Sequence, residues 1–187
     1  MTATLLGQEL DPLRGDIAVV DTNGVGAGVY DTVKKNGYTA MGVNVGTRTD
    51  MTDSSGQVQF YNIRAAVYWK LREALDPARN PTIMLPPDDN LASDLSTPHW
   101  KTMPGGKIVI ESKDEIRKRL NRSPDRGDAV CLAWWASGDG FSLDPADSAF
   151  AWSDGTLDGD AIDWDASGAS NLFGDLVEVP NGVWYDD

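Results

Sequence analysis

Two acidic motifs, a little over a hundred residues apart, carry the side chains of this sequence that are best suited to bind divalent cations. In the first, the apolar run Val19-Val20 ends at Asp21 and a glycine-containing turn follows. In the second, Asp125 and Asp128 stand at the start of an apolar run with helical character. Hard divalent cations require clustered carboxylates. A fold that joins the strand end to the helix start would have the outline of a two-metal nuclease, although a third carboxylate is hard to place.

Each of these aspartates also has a purely structural interpretation. A carboxylate at the end of an internal strand is costly to bury unless it is paired or metal-bound, which favours an exposed sheet end for Asp21. The same side chain is suited to capping a helix N-terminus. Asp125 and Asp128 share one face of their helix, yet acidic residues in a first turn are also favoured by the helix dipole. The residues alone leave both interpretations open.

A basic segment, residues 113 to 122, lies directly before the second motif. A run of charge is usually a solvated helix face, but beside a carboxylate cluster it would supply phosphate contacts. The candidate DNA-binding residues are Lys113, Arg117, Lys118, Arg119, Arg122 and Arg126.

Four other features argue against competing kinds of site. The glycines from Gly24 to Gly28 resemble a dinucleotide-binding turn, but Val29 stands where the third glycine belongs and Asp21 would face the pyrophosphate. His99 is the only histidine, and no glycine-elbow serine accompanies it for a catalytic triad. Cys131, the only cysteine, lies in an apolar run and is expected in the core. No P-loop motif is present, so the sequence does not predict an ATPase of its own.

The distribution of charge divides the 187-residue chain in two. Its formal net charge is -13, but residues 1–136 hold 17 acidic and 16 basic side chains, whereas residues 137–187 hold 12 acidic and none basic. We predict a near-neutral body over residues 1–136 and an irregular or disordered acidic tail over residues 137–187. No membrane span or signal peptide is recognised, which makes a cytoplasmic protein the default.

Apolar periodicity predicts alternating strands and helices in the body. Strands are expected over residues 17–20, 39–44 and 81–85, with a hairpin over 100–110 that turns at 104–106; helices are expected over 27–36, 58–75, 88–95, 113–120 and 124–136. The first two strands should be parallel, because a helix connects them in a right-handed crossover. Ser112 and Glu115 form a capping-box pattern at the start of the fourth helix.

Four blocks, in this order, resemble the C-terminal nuclease half of tailed-phage terminase large subunits. The blocks are Asp21-Thr22-Asn23-Gly24-Val25-Gly26-Ala27-Gly28-Val29 with Asp31, Tyr61-Asn62-Ile63-Arg64-Ala65, Gly106-Lys107-Ile108-Val109-Ile110-Glu111-Ser112-Lys113-Asp114-Glu115, and Ser123-Pro124-Asp125-Arg126-Gly127-Asp128-Ala129. The resemblance spans roughly residues 14–136 and excludes the tail.

The resemblance implies a ribonuclease H-like α/β fold, in which a mixed sheet is flanked by helices. It implies a hydrolase in which Mg²⁺ or Mn²⁺ ions, held by three acidic residues, cut double-stranded DNA concatemers during phage DNA packaging. Asp21 matches the second acidic position and Asp128 the third, with Asp125 a neighbouring candidate, so these three are the expected catalytic and metal-binding residues.

The first acidic position of that family has no matching strand in this sequence; Asp11 and Asp16 are the residues that could be offered for it, but neither follows a strand-like run. That position belongs to an opening strand upstream of Asp21, and here only 16 residues precede Ile17. The expectation is therefore an N-terminally truncated domain in the host cell cytoplasm, completed by a partner chain that carries the terminase ATPase portion. The portal or the small terminase subunit are further candidate partners, and no membrane association is expected.

A non-catalytic binding module, or a remnant of such a nuclease without cleavage activity, is the alternative function. The acidic tail, which contains Trp152, Trp164 and Trp184, would then dock on a packaging partner or imitate the phosphates of DNA.

Overall fold

The computed structural model describes residue 10 and residues 16–81, 83–137 and 170–173. In chain order the elements are β1 (Ala18–Asp21), α1 (Gly26–Lys35), β2 (Ala40–Val43), α2 (Ile63–Leu75), a 3-10 helix (Pro77–Arg79), α3 (Asp89–Ser96), β3 (His99–Thr102), β4 (Ile108–Ile110), α4 (Lys113–Leu120), α5 (Asp125–Ser137) and β5 (Ser170–Asn171). Helices pack beside two small sheets. The predicted mixed α/β class is confirmed at this level.

Strands β1 and β2 form the predicted parallel pair, with α1 as the crossover. Ala18 lies opposite Ala40, and Asp21 lies opposite Val43. A Cβ atom on Gly26 would lie 1.7 Å from the Asp21 carbonyl oxygen, so α1 can start this close to the strand end because position 26 has no side chain. Close strand-to-helix packing therefore accounts for this glycine without a bound dinucleotide.

The second sheet has the order β4-β3-β5, with both pairings antiparallel. Phe60 connects to it through a parallel bridge to Ile108. After β5, Leu172 and Phe173 are buried, and the Leu172 N–H donates to the Pro98 carbonyl at 2.9 Å. Four residues of the segment assigned to the acidic tail are therefore held on the body. Apart from these four residues and Ser137, which ends α5, that segment lies outside the described residues, as do residues 1–9 and 11–15.

Helix α2 crosses the centre of the core, and its N-terminus is fixed by the loop after β2. Asn62 caps the helix by accepting a hydrogen bond from the Ala65 N–H at 3.0 Å. The N–H groups of Ile63 and Arg64 donate to the carbonyls of Thr47 and Val45, each at 2.9 Å. The amides of the first helical turn have no partner within the helix. The carbonyls of this loop supply those partners and so fix the orientation of α2.

Helix α5 is positioned by α3. The fully buried carboxylate of Asp94 accepts hydrogen bonds from the N–H groups of Arg126 (3.1 Å) and Gly127 (3.2 Å). A Cβ atom on Gly127 would lie 3.0 Å from the Asp94 Cβ atom, so glycine permits this close crossing. Asp128, the next residue, is thereby fixed at the start of α5.

Two element predictions were wrong within the described residues. Helix α2 begins at Ile63 rather than residue 58, because Phe60 is drawn into the bridge to Ile108 and Asn62 serves as the cap. The strand expected over residues 81–85 is absent from the four of those residues that the structure describes, 81 and 83–85. Ile83 and Leu85 in that loop pack against the core and Met84 is 96% exposed, but the run pairs with no strand among the described residues.

Within the described residues, no helix is long and apolar enough to cross a membrane.

Candidate active site

Asp21 occupies the last position of β1, at the carboxyl end of the parallel strand pair. Its Oδ1 atom accepts a hydrogen bond from the Asn23 N–H at 3.0 Å, which forms a tight turn after the strand. Ligands gather outside the carboxyl ends of parallel strands because the following loops open there. The fold therefore places Asp21 where a ligand can reach it.

Asp128 lies in the first turn of α5 and is surrounded by three donors. Its Oδ1 atom accepts hydrogen bonds from Arg64 Nη1 at 2.8 Å and from the Tyr68 hydroxyl at 2.6 Å. Its Oδ2 atom pairs with Lys113 Nζ at 2.7 Å. Arg64 and Tyr68 are four residues apart on α2, so they present their polar groups from one face of that helix. Three elements (α2, α4 and α5) therefore meet at this carboxylate.

Asp21 and Asp128 line the same small cavity. Its other lining residues are Val45, Arg64, Val67, Tyr68, Cys131 and Leu132. The cavity volume of about 10 Å³ corresponds to about one water molecule. The space between the two carboxylates and the Arg64, Tyr68 and apolar side chains that line it is therefore small.

The two carboxylates differ in their electrostatic environment. Burial raises the pKa of Asp21, an effect that outweighs the Asn23 hydrogen bond and the positive charge of Lys113, and the nearby charge of Asp128 raises it further. Burial also disfavours ionisation of Asp128, but Arg64 and Lys113 together hold its pKa below the usual value of 3.8. Asp128 is therefore a stably ionised group, whereas the charge of Asp21 is only partly compensated by Lys113 and Arg64.

The supporting groups are fixed in their protonation states. Burial disfavours the charge of Arg64, but the neighbouring Tyr68 and Asp128 outweigh it and raise the arginine pKa. Burial raises the pKa of the Tyr68 hydroxyl and of the Cys131 thiol well above their usual values. Tyr68 therefore acts as a hydrogen-bond donor to Asp128, and Cys131 is a buried, neutral core residue, as the sequence predicted.

Asp125 lies apart from this cavity. It is the first residue of α5, is exposed, and accepts a hydrogen bond from the Ser123 hydroxyl at 2.5 Å. This is the arrangement of an acidic residue at a helix start, which is favoured by the helix dipole. The structure thus places two of the three candidate ligands around one cavity and the third on the surface.

The donor set can be compared with the needs of a divalent cation. Across the described residues, no group of three or more His, Cys, Asp or Glu side chains could hold a metal ion. Two carboxylates suit one Mg²⁺ or Mn²⁺ ion, since Mg²⁺ commonly uses one or two protein carboxylates and keeps several waters. Asp21 and Asp128 therefore fit a single hard cation, whereas a second one would need further ligands.

Each candidate DNA-binding residue has a carboxylate partner. The pairs are Lys113 with Asp128, Arg117 with Asp114, Lys118 with Glu115, Arg119 with Glu111, Arg122 with Asp94, and Arg126 with Asp88. The partners Glu111 and Asp94 are fully buried, so Arg119 and Arg122 stabilise the fold. DNA contact by these six residues stays a prediction.

His99 donates its backbone N–H to Glu111 and has a structural role.

Arg64 and Tyr68 are the site residues that the sequence did not single out for chemistry. Both lie in a helix whose neighbouring residues are apolar and buried. A buried arginine needs an anionic partner. The presence of an arginine within an apolar helical run was therefore the sequence signal that a buried carboxylate lies nearby. The identity of the partner, 64 residues away, was not available from local spacing.

Comparison with known proteins gives a structural likeness. No family model matches the sequence, and no curated protein matches it. Among solved structures, the chain is similar to a point mutant of the nuclease domain of the large terminase subunit gp2 of bacterial virus Sf6, a structure that contains manganese and beta-thujaplicinol. The TM-score is 0.52 at 22% sequence identity, and the match covers 70% of this chain and 67% of that one. The chain therefore has a fold similar to that of a phage terminase nuclease domain.

Proposed function

We propose that this chain is part of a terminase large-subunit nuclease, which cleaves double-stranded DNA concatemers during phage genome packaging in the host cytoplasm. The observation that carries the proposal is the meeting of Asp21 and Asp128 at one cavity, at the carboxyl end of the parallel strands. The fold likeness to a terminase nuclease domain supports it. So does the manganese in that neighbouring structure, because carboxylate oxygens suit Mn²⁺ and Asp21 and Asp128 supply them here.

Asp21 and Asp128 are the residues that would hold Mg²⁺ or Mn²⁺. When bound, such an ion activates a water molecule and stabilises the charge that develops on phosphate. Arg64 and Tyr68 fix Asp128 through Oδ1 and so leave Oδ2 for a ligand. Lys113, whose side chain is 36% exposed, pairs with Oδ2 and can move into solvent. Arg64 and Tyr68 are thus positioning residues, and Lys113 neutralises Asp128 in the metal-free chain.

A partner chain is proposed to complete the site. Among the described residues, β1 pairs with β2 alone, and its sequence has neither proline nor lysine to discourage a further strand. Next to β1 is an apolar cavity of about 320 Å³, lined by Ile17, Val19, Met41, Ala129, Ala133, Ala136 and Ser137. A strand added at this edge from the chain that carries the terminase ATPase would cover the cavity. It would also bring a third carboxylate beside Asp21.

The test is cleavage of linear duplex DNA with Mg²⁺ or Mn²⁺, by the purified chain alone and after co-expression with a terminase ATPase portion. We expect weak metal binding and absent or very slow cleavage by the chain alone, because two carboxylates leave a second ion under-coordinated. Cleavage should appear with the partner and be lost in Asp21→Asn. Robust cleavage by the chain alone, abolished by Asp21→Asn, would show that the third ligand is already present in this chain.

The alternative is a non-catalytic binding module, and the presence of only two site carboxylates among the described residues favours it. In that case neither metal addition nor a partner chain would produce cleavage. The chain would instead bind a packaging partner, such as the portal or the small terminase subunit, through its acidic residues beyond 137. Co-purification that persists in Asp21→Asn but is lost when those residues are neutralised would support this role.

A further inference from the structure

Arg48, in the loop after β2, presents a guanidinium group that is stacked on a tyrosine ring and has no carboxylate partner among the described residues. Its Cζ atom lies 3.5 Å from the centroid of the Tyr61 ring, and the residue is exposed. None of the ion pairs among the described residues involves it. Stacking uses the face of a guanidinium and leaves its N–H groups free in the plane, which suits bidentate binding of phosphate.

The backbone under Arg48 is tied to the candidate active site. Arg48 forms an isolated antiparallel bridge with Asn62, the cap of α2. Three residues earlier, Val45 lines the cavity of Asp21 and Asp128, and its carbonyl accepts the Arg64 N–H. Three residues of extended chain span at most about 11 Å. The Arg48 backbone therefore lies within about that distance of a residue that lines the site.

The six candidate DNA-binding residues on and around α4 and α5 differ from Arg48 in one respect. Each of them lies beside a carboxylate, so a DNA phosphate would have to compete with an existing ion pair. Arg48 faces no such competition within the described part of the chain. It also keeps its orientation through Tyr61, whose N–H is anchored to the Ile108 carbonyl at 2.8 Å. Less conformational entropy is lost when a preorganised side chain binds.

We propose that Arg48, held on Tyr61, is a backbone phosphate contact for duplex DNA at the rim of the Asp21–Asp128 site. This inference rests on the proposed function, since it names a group that positions the same substrate. Arg48 supplies no chemistry to the reaction. It orients the duplex relative to the two carboxylates, as phosphate contacts generally set register.

The experiment is a fluorescence anisotropy titration of a labelled short duplex at several salt concentrations and constant Mg²⁺, with the full chain. Loss of one phosphate contact should reduce the slope of log affinity against log salt by about 0.9. When the salt concentration is raised fourfold, the affinity of wild type should therefore fall by a factor about 3.5 times larger than the affinity of Arg48→Ala does. Tyr61→Leu keeps the charge and should weaken binding at low salt without the full change in slope.

Arg79→Ala is the matched control. Arg79 is also an exposed arginine, but it follows the far end of α2, about 20 Å along that helix, and pairs with Glu73 and Asp76. This variant should keep the wild-type slope, and all variants should keep the wild-type thermal midpoint. If wild type binds and Arg48→Ala behaves like Arg79→Ala, the inference about Arg48 is wrong while the proposed function stands. If wild type does not bind duplex at all, the proposed function fails with it.

Discussion

Asp21 and Asp128 show how two aspartates at one cavity acquire different charge states. The Asp128 carboxylate receives Arg64, Tyr68 and Lys113, whereas Asp21 receives only a backbone N–H among the described contacts. Removing a charge from each residue should consequently have opposite effects on stability. A site built to receive a cation is expected to have this kind of imbalance, because negative charge must be left for the ligand.

We expect Asp128→Asn to destabilise the metal-free protein by about 3 kcal/mol, because it leaves the buried Arg64 without its carboxylate. Asp21→Asn should instead stabilise it, since burial disfavours the ionised form. The measurement is urea unfolding at neutral pH in chelator. Asp125→Asn is the matched control, and its free energy of unfolding should change by less than about 0.5 kcal/mol because Asp125 is exposed. Destabilisation by Asp21→Asn would show that the attraction of Lys113 and Arg64 for the Asp21 charge outweighs the cost of its burial.

The pH dependence of stability should separate the two groups. The raised pKa of Asp21 means that stability falls as pH rises from its ordinary value of 3.8 through the raised one. The lowered pKa of Asp128 means that its contribution is present above 3.8 and is lost as pH falls below it. Unfolding of wild type, Asp21→Asn and Asp128→Asn over this range should show both windows. In Asp21→Asn, the free energy of unfolding should not fall as pH rises above 3.8. If it still falls in this variant, the decline belongs to another group.

At the scale of single elements, local signals were predictable and non-local ones were not. Ser112 was expected to cap α4, and its Oγ atom accepts the Glu115 N–H at 3.3 Å. The cap of α5 could not be found in this way, because it is Asp94, about 32 residues earlier on another helix. The start of α2 was misplaced for the same reason, since the bridge from Phe60 to Ile108 joins distant residues.

In the candidate site, too, local sequence patterns predicted some residues and could not predict those that depend on distant contacts. The Asp21 and Asp128 motifs were visible because a strand end and a helix start have local sequence patterns. The role of Arg64 was not visible, because a buried arginine takes its meaning from a partner that only the tertiary fold brings close. Asp125 shares the motif of Asp128, but the direction of its side chain depends on how α5 packs against α3.

The cap that Asp94 provides for α5 can be tested directly. Asp94→Ala should destabilise the protein by about 1–2 kcal/mol, because two N–H groups of the first turn lose their acceptor. Arg122, with 35% of its side chain exposed, can be hydrated when its partner is removed. Asp94→Asn keeps an acceptor oxygen and should cost less than Asp94→Ala in denaturant unfolding. Equal losses in the two variants would indicate that the ion pair with Arg122, rather than the cap, provides the stabilisation.

In the whole molecule, negative charge is concentrated in the C-terminal segment, and a few residues of that segment pack against the body. Residues 137–187 hold 12 acidic side chains and no basic one. Within that segment, Leu172 and Phe173 are buried against the body, and the Leu172 carbonyl accepts Arg72 Nε at 2.8 Å. Burial of each of these side chains contributes roughly 1.5–3 kcal/mol. Cutting the chain at residue 137 would therefore remove core side chains as well as negative charge.

Charge neutralisation is the cleaner test of whether the acidic segment lowers DNA affinity. We predict that replacing the eight aspartates of residues 138–169 by asparagine increases affinity for duplex DNA. These eight are Asp139, Asp144, Asp147, Asp154, Asp158, Asp160, Asp163 and Asp165. A tethered polyanion competes with phosphates for the cations of the body. The gain should be largest at low salt and should shrink as ionic strength rises, because charges are screened over about 8–10 Å at moderate salt.

The control for that titration replaces the same eight aspartates by glutamate, which changes the side chains and keeps the charge. This variant should bind duplex DNA as wild type does at every salt concentration, and all three proteins should share one thermal midpoint because residues 170–173 are untouched. Equal affinities of wild type and the asparagine variant at low salt would rule out competition between the acidic segment and DNA. Eight like charges without a nearby cation in sequence repel one another. In that case, docking on a basic packaging partner would be the expected role of these eight aspartates.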